Sequence, residues 1–279
     1  MQLELVHGEV EPTAVAALPQ QPVQLYQSSD SFVPDLNEGV RYFPAWGVDR
    51  LVVNPHTGSH FVVVGQRVGV LNDDLDRGIL DTIRVIKQLA ATTFEADGAL
   101  TLHASAIGFG GHAVAVIGDK GAGKTTTALA AVAAGARLVS NDRVNAWSFD
   151  GRTEVQGWTD PIRIILDPAT GSKEMISVAR YFDGAADRVA RDPLPLVAIV
   201  LPDVSSSALE VSCVDLDAAT AEELTRGHVL PVRARWLGLE PEPRMPPNLP
   251  TAPRFLRLRY PFAHAETAVR QLREALGFG

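Results

Sequence analysis

An apolar run, Ala113-Val114-Ala115-Val116-Ile117, leads directly into Gly118-Asp119-Lys120-Gly121-Ala122-Gly123-Lys124-Thr125, which fits the pattern GxxxxGK[ST]. The stretch from Thr125 to Ala134 then runs rich in Ala and Leu, free of Gly and Pro, and stops at Gly135. Strand, glycine loop and helix in that order restrict the chain to α/β folds whose helix N-terminus faces an anion. Glycines let the loop backbone close on phosphate where no Cβ intervenes, and successive N–H groups then point at the ligand. The expectation is a nucleoside triphosphate site. Gly118, Lys120, Gly121, Ala122, Gly123, Lys124, Thr125 and Thr126 form the loop and the first turn of its helix. Lys124 should reach the β and γ phosphates, and Thr125 should ligate Mg²⁺. Asp119 and Lys120 occupy variable positions of the motif and receive no catalytic task.

Composition limits the rest. With 279 residues and 46% hydrophobic content, the chain can bury a substantial core. The formal net charge of −8, from 33 acidic and 25 basic residues, argues against a broad surface for nucleic acid or anionic membrane. Cys213 is the sole cysteine, so no intrachain disulfide or Cys-rich zinc site can form, and its setting reads as a strand residue. The seven histidines show no metal-ligand spacing. The N-terminus lacks a basic start followed by an apolar segment, and no run reaches membrane-spanning length, so a cytoplasmic protein is expected.

Two regions are expected: a mainly β N-terminal region with one helix, 1–97, packed on a nucleotide-binding domain, 98–279. In the first, a hairpin of Leu51-Val52-Val53 and His60–Val64 precedes a strand at Arg67–Leu71. In the helix that follows, Ile79, Ile83, Ile86 and Ala90 share one face, while Asp81, Arg84 and Lys87 lie elsewhere. Asp97-Gly98 marks the break between regions. In the second, strands flank the loop, and Arg137–Ser140 ends at Asn141-Asp142, placing an acid just past a strand's carboxyl end. Hairpins after that unit imply a mixed sheet. The segment from Asp167 to Pro195 mixes Gly, Lys, Arg and Asp with little periodicity, and reads as a mobile substrate loop. Pro231 to Pro253 reads as a Pro-rich connection, followed by a strand at Arg254–Tyr260 and a helix at Ala263–Leu276.

The strings Leu102-His103-Ala104-Ser105-Ala106, GDKGAGKTT and Arg137-Leu138-Val139-Ser140-Asn141-Asp142-Arg143-Val144 together resemble the HPr kinase/phosphorylase superfamily, whose core has a His, a glycine loop and an Asp pair in that order. The string is also similar to the HPr-kinase-like enzymes of bacterial peptide-modification clusters, including serine kinases of lasso-peptide precursors. The match is dense over about residues 99 to 145 and carries none of its motifs in residues 1–70. It implies an HPr-kinase-like P-loop fold with a mixed sheet, ATP with GTP as the alternative, Mg²⁺ held by Thr125 and Asp142, and phosphoryl transfer to a peptide or small-molecule hydroxyl. It also admits a homo-oligomer. His103, Asn141 and Asp142 take the catalytic positions beside Lys124.

Asn141 departs from the family pattern, because an amide neither accepts a proton at neutral pH nor brings charge to Mg²⁺. The base is then Asp142 or His103, or the hydroxyl loses its proton late, as a loose transition state permits. Under that resemblance Asp160 is a candidate to replace an acid that the family places there, and Arg163 and Lys173 are candidates to neutralise charge on the triphosphate or acceptor; the alternative for each is a loop or strand-face charge. The stretch Glu154–Arg163 does not reproduce the signature of HPr kinases proper, which argues against HPr as partner. The leading expectation is a kinase; the second is a nucleotide-binding regulatory or accessory protein with weakened transfer chemistry.

Overall fold

The computed structural model describes residues 2–7, 15, 17–25, 38–43, 47–158, 162–167, 172–205, 210–230, 234–239 and 247–278. The chain forms two compact units, Met1–Ala96 with Pro231–Arg244, and Asp97–Leu230 with Met245–Gly279.

In the first unit, strands β1 (Gln2–His7), β2 (Gln20–Gln24), β3 (Glu38–Tyr42), β4 (Arg50–Val53), β5 (His60–Val64) and β6 (Arg67–Asn72) form one sheet. Its order is β1-β6-β5-β4-β3-β2, antiparallel except for the β1–β6 pair. The alternating pattern of β5 and β6 buries Phe61, Val63, Val68 and Val70 on one face, against which helix α1 (Leu75–Ala96) lays Val85 and Leu89. Trp236 and Leu237 join this core from a 3₁₀ turn at Ala234–Leu237, inside the stretch expected to be only a connection. The Trp236 indole N–H donates to the Leu25 carbonyl at 3.0 Å, so its polar edge is satisfied where the ring is buried.

The buried face of α1 is not the expected one. Gly78, Asp81, Val85, Leu89, Thr92 and Ala96 face inward, whereas Ile79, Ile83 and Ile86 are 40%, 44% and 49% exposed. Asp81 is fully buried because its carboxylate accepts from the Thr57 hydroxyl at 2.6 Å and from Arg84 at 2.9 Å. A paired carboxylate can occupy a core position that an unpaired one could not.

The second unit is built around β7 (Ala99–Phe109) and β8 (His112–Ile117), followed by α2 (Lys124–Ala133), β9 (Arg137–Ser140), β10 (Arg143–Phe149) and β11 (Arg152–Gly157). A hairpin of β12 (Ile162–Asp167) and β13 (Ser172–Ile176) leads to α3 (Val178–Tyr181). Then come β14 (Leu194–Val204), β15 (Ser212–Asp215), α4 (Ala218–Gly227), β16 (Val229–Leu230), β17 (Arg254–Tyr260) and α5 (Ala265–Ala275). The main sheet runs β11-β10-β7-β8-β14-β17-β15, and an extra β11–β14 pairing closes a ring through β10, β7 and β8. The result is a mixed α/β architecture with large mixed sheets and few helices.

The long strand β7 pairs with β10 along Ala99–His103 and with β8 along Ala104–Phe109, and the shorter β16 and β9 pair with it as well. One side of the sheet packs Val114, Val200, Leu256 and Leu258 against α2 and α5, and the other buries Leu102, Val144 and Val155. The segment expected to be a mobile substrate loop carries β13, α3 and a 3₁₀ turn at Ala186–Arg188. Backbone pairing and the Ser177 cap on Arg180 N–H supply the order that weak periodicity did not signal.

Candidate active site at the glycine loop

Strands β8, β14 and β17 run parallel, so Ile117, Val204 and Tyr260 end on the same edge of the sheet. The glycine loop leaves β8 at that edge, where open α/β sheets gather ligands. Gly121 and Gly123 take positive φ values of 89° and 100°. At Gly123 a Cβ would also overlap the Val204 side chain, so this glycine answers both a backbone and a packing requirement. Gly123 is the N-cap of α2, whose first residues are Lys124, Thr125 and Thr126. Thr127 anchors the turn beneath them through its hydroxyl, 2.9 Å from the Gly123 carbonyl and 2.7 Å from the Tyr260 hydroxyl.

Lys124 Nζ donates to the Gly118 carbonyl at 2.6 Å and the Asp119 carbonyl at 3.3 Å, which curls its ammonium over the loop. Burial lowers its pKa, and the carboxylates of Asp142 and Asp119 oppose that shift. Lys120 and Gly121 are exposed at the loop tip, while Ala122, Thr125 and Thr126 are half-buried.

The strand β9 ends in a tight turn that delivers Asn141 and Asp142. Ser140 is fully buried and organises it: its hydroxyl contacts the Arg143 carbonyl at 2.6 Å and the Trp158 carbonyl at 3.1 Å. The same oxygen accepts from Asp142 N–H at 3.3 Å and Arg143 N–H at 3.1 Å. Ser105 on β7 donates to the Asn141 carbonyl at 2.9 Å. Gly157 makes room for this turn, since a Cβ there would overlap the Val139 carbonyl and the Ser140 side chain.

His103 then meets the acid. Its Nε2 lies 3.5 Å from Asp142 Oδ1, and Arg143 Nε lies 3.5 Å from Asp142 Oδ2. Burial is the main force lowering the His103 pKa, helped by Lys124, opposed by Asp142, and lowered further by His228 and Arg143. The imidazole is therefore poised as the neutral, proton-accepting form. His103, Lys124, Asp142 and the loop are thus brought together, with Asn141 buried at the start of the same turn.

Three residues of this cluster carry no signal in the sequence reading: Arg143, Ser140 and His228. The turn string held the first two without marking a task for them. His228 reaches the site through β16, which pairs with β7, and its carbonyl accepts from His103 N–H at 2.8 Å. Asp160 lies outside the described residues, as do the side chains of Arg163 and Lys173.

Among the described residues, no group of three or more His, Cys, Asp or Glu side chains forms a metal cage. Mg²⁺ does not need one, since it binds through one or two carboxylates with phosphate oxygens and water. Asp142, 37% exposed, and the Thr125 hydroxyl are hard oxygen donors of the kind that fits it. Among the described residues, no helix is long and apolar enough to cross a membrane.

No family model and no curated protein sequence matches the chain. Among solved structures, it is similar to the Hpr(Ser) kinase/phosphatase from Coxiella burnetii, at 15% identity and a TM-score of 0.35, over 63% of this chain and 98% of that one.

Proposed function

We propose that the protein is an ATP- and Mg²⁺-dependent kinase that transfers the γ-phosphoryl group to a hydroxyl, either serine of a peptide or small protein or a small-molecule alcohol. The observation that carries this reading is the convergence of His103, Asp142 and Arg143 on the Lys124 end of a GxxxxGKT loop. Phosphoryl transfer asks little covalent chemistry of a protein and much positioning and charge neutralisation. Lys124 and the free N–H groups of the first turn of α2 would hold the phosphates. Asp142 and Thr125 would hold Mg²⁺, which supplies charge neutralisation on the phosphoryl oxygens.

His103 suits acceptance of the hydroxyl proton, because burial keeps it neutral and Asp142 can steady the imidazolium that forms. Arg143 balances Asp142 from the other side. GTP is the alternative donor, since loop contacts read phosphates rather than the base. A second reading, a nucleotide-binding regulatory protein, draws on Asn141, an amide at a position where an acid would serve transfer.

The test is mass spectrometry of acceptor candidates from neighbouring genes after incubation with Mg²⁺ and ATP or GTP, with Lys124→Ala as control. A gain of about 80 Da on an acceptor, absent with the variant, supports the kinase. Nucleotide binding without transfer to any acceptor supports the regulatory reading.

A further inference from the structure

The strand order gives the nucleotide site a direction. His103 stands on β7, Asp142 and Arg143 lie where β9 turns into β10, and both β9 and β10 pair with β7. These residues therefore lie to one side of β8 and its glycine loop, while β14 and then β17 lie to the other. In the kinase reading the γ-phosphoryl group faces His103 and Asp142, so the nucleoside end leaves the loop toward β14 and β17. Neighbouring strands stand about 4.8 Å apart, which puts the end of β17 about 10 Å across from the loop, within reach of a sugar and its base.

That end is tied to the loop. The Tyr260 hydroxyl lies 2.7 Å from the hydroxyl of Thr127 in α2, and Val204, the last residue of β14, packs so closely on Gly123 that a Cβ there would not fit. Two residues beyond Tyr260, no more than about 7 Å along the chain, Phe262 opens a 3₁₀ turn and is 70% exposed. Among the described residues it is the most exposed large hydrophobic side chain. A single exposed apolar side chain is ordinary on a protein surface. What distinguishes Phe262 is its address, on the rim of the sheet toward which the base would extend.

We infer that Phe262 is the stacking platform for the purine base of the bound nucleoside triphosphate; the inference rests on the nucleotide site of the kinase reading. An aromatic face reads the π-surface of a base and not its hydrogen-bonding edge, so adenine and guanine are accepted alike. The phosphates are then held by the glycine loop and Lys124, and the base by a ring that the loop motif does not contain.

Tripolyphosphate, which has the phosphates and no base, separates the two parts of the site. In calorimetric titrations of the full chain, Phe262→Ala should bind Mg-ATP and Mg-GTP about tenfold more weakly than the parent protein and Mg-tripolyphosphate equally well. Phe262→Trp should keep the nucleotide affinity, and its added indole fluorescence should be quenched by Mg-ATP and not by Mg-tripolyphosphate.

Parent-like binding of both nucleotides by Phe262→Ala, or an equal loss of nucleotide and tripolyphosphate, overturns the inference and leaves the kinase reading standing. Failure of the parent protein to bind any of the three ligands overturns both. If Phe262→Ala does not fold, Phe262→Trp decides: quenching by Mg-ATP no greater than in the parent protein overturns the stacking role.

Discussion

Arg143 stands directly across from His103 in the antiparallel register of β7 and β10. Asp142, one residue earlier, therefore leaves the strand end beside both, and each of its carboxylate oxygens has a cationic or protonatable neighbour at 3.5 Å. Strand register thus does what a hydrogen-bond network does elsewhere: it sets the distance between an imidazole and its acid. The Ala104 N–H, donating to the Asp142 carbonyl at 3.0 Å, locks the same alignment from the backbone.

That alignment makes His103 a pH-dependent element of stability. Its folded pKa is lowered, chiefly by burial, so the unfolded chain binds the proton more readily. Stability is then unaffected well above the unfolded value of about 6.5 and declines as pH falls from there through the lower folded value. The nucleotide-free protein should lose melting temperature between about pH 7.5 and pH 5.5, and His103→Gln should lose less. His60 is shifted in the same direction, also chiefly by burial, so the difference between variant and parent is the quantity to read. Identical slopes would show that the imidazole is not desolvated as the structure has it.

Ser140 is the residue on which the Asp142 turn depends. Ser140→Ala leaves the N–H groups of Asp142 and Arg143 without their buried acceptor, at a cost of about 1–3 kcal/mol. Urea denaturation should register that loss. Turnover should fall while the KM for nucleotide changes little, because the loop and Lys124 keep their own anchors. A full-stability variant would mean that water replaces the hydroxyl.

Much of this site is local in sequence, and that part was legible. The apolar run before the loop, the glycines, the Ala-rich helix and the acid after β9 lie within one strand–loop–helix–strand unit, where period and turn chemistry are informative. His228 was not legible, because its place depends on a two-residue strand pairing with β7 from far along the chain. The face of α1 was misread for a related reason. Periodicity offered Ile79, Ile83 and Ile86, but the buried face includes Asp81, whose partner Thr57 lies before β5 and cannot be foreseen from the helix pattern.

The two faces of α1 should respond oppositely to substitution. Ile83→Lys places a charge on an exposed position and should change stability by no more than about 0.5 kcal/mol. Asp81→Ala removes the carboxylate that accepts from the Thr57 hydroxyl in the core and from Arg84, and should cost about 2 kcal/mol or more. Hydrogen exchange along α1 and β5 would locate the effect in this unit. The reverse ranking would mean that the isoleucine face is the covered one.

Asn141→Asp decides between a working and a weakened site. Asn141 is only 8% exposed, and its carbonyl is tied to Ser105. A carboxylate there would be poorly solvated and would stand next in sequence to Asp142, so both burial and like charge oppose its ionisation. For a kinase that uses the amide as it stands, the variant should melt lower and turn over no faster. The loss should be largest above neutral pH, where the new acid is most ionised. If turnover instead rises from near zero by about a hundredfold or more, the amide marks a site whose transfer chemistry had been weakened, and the regulatory reading gains the argument.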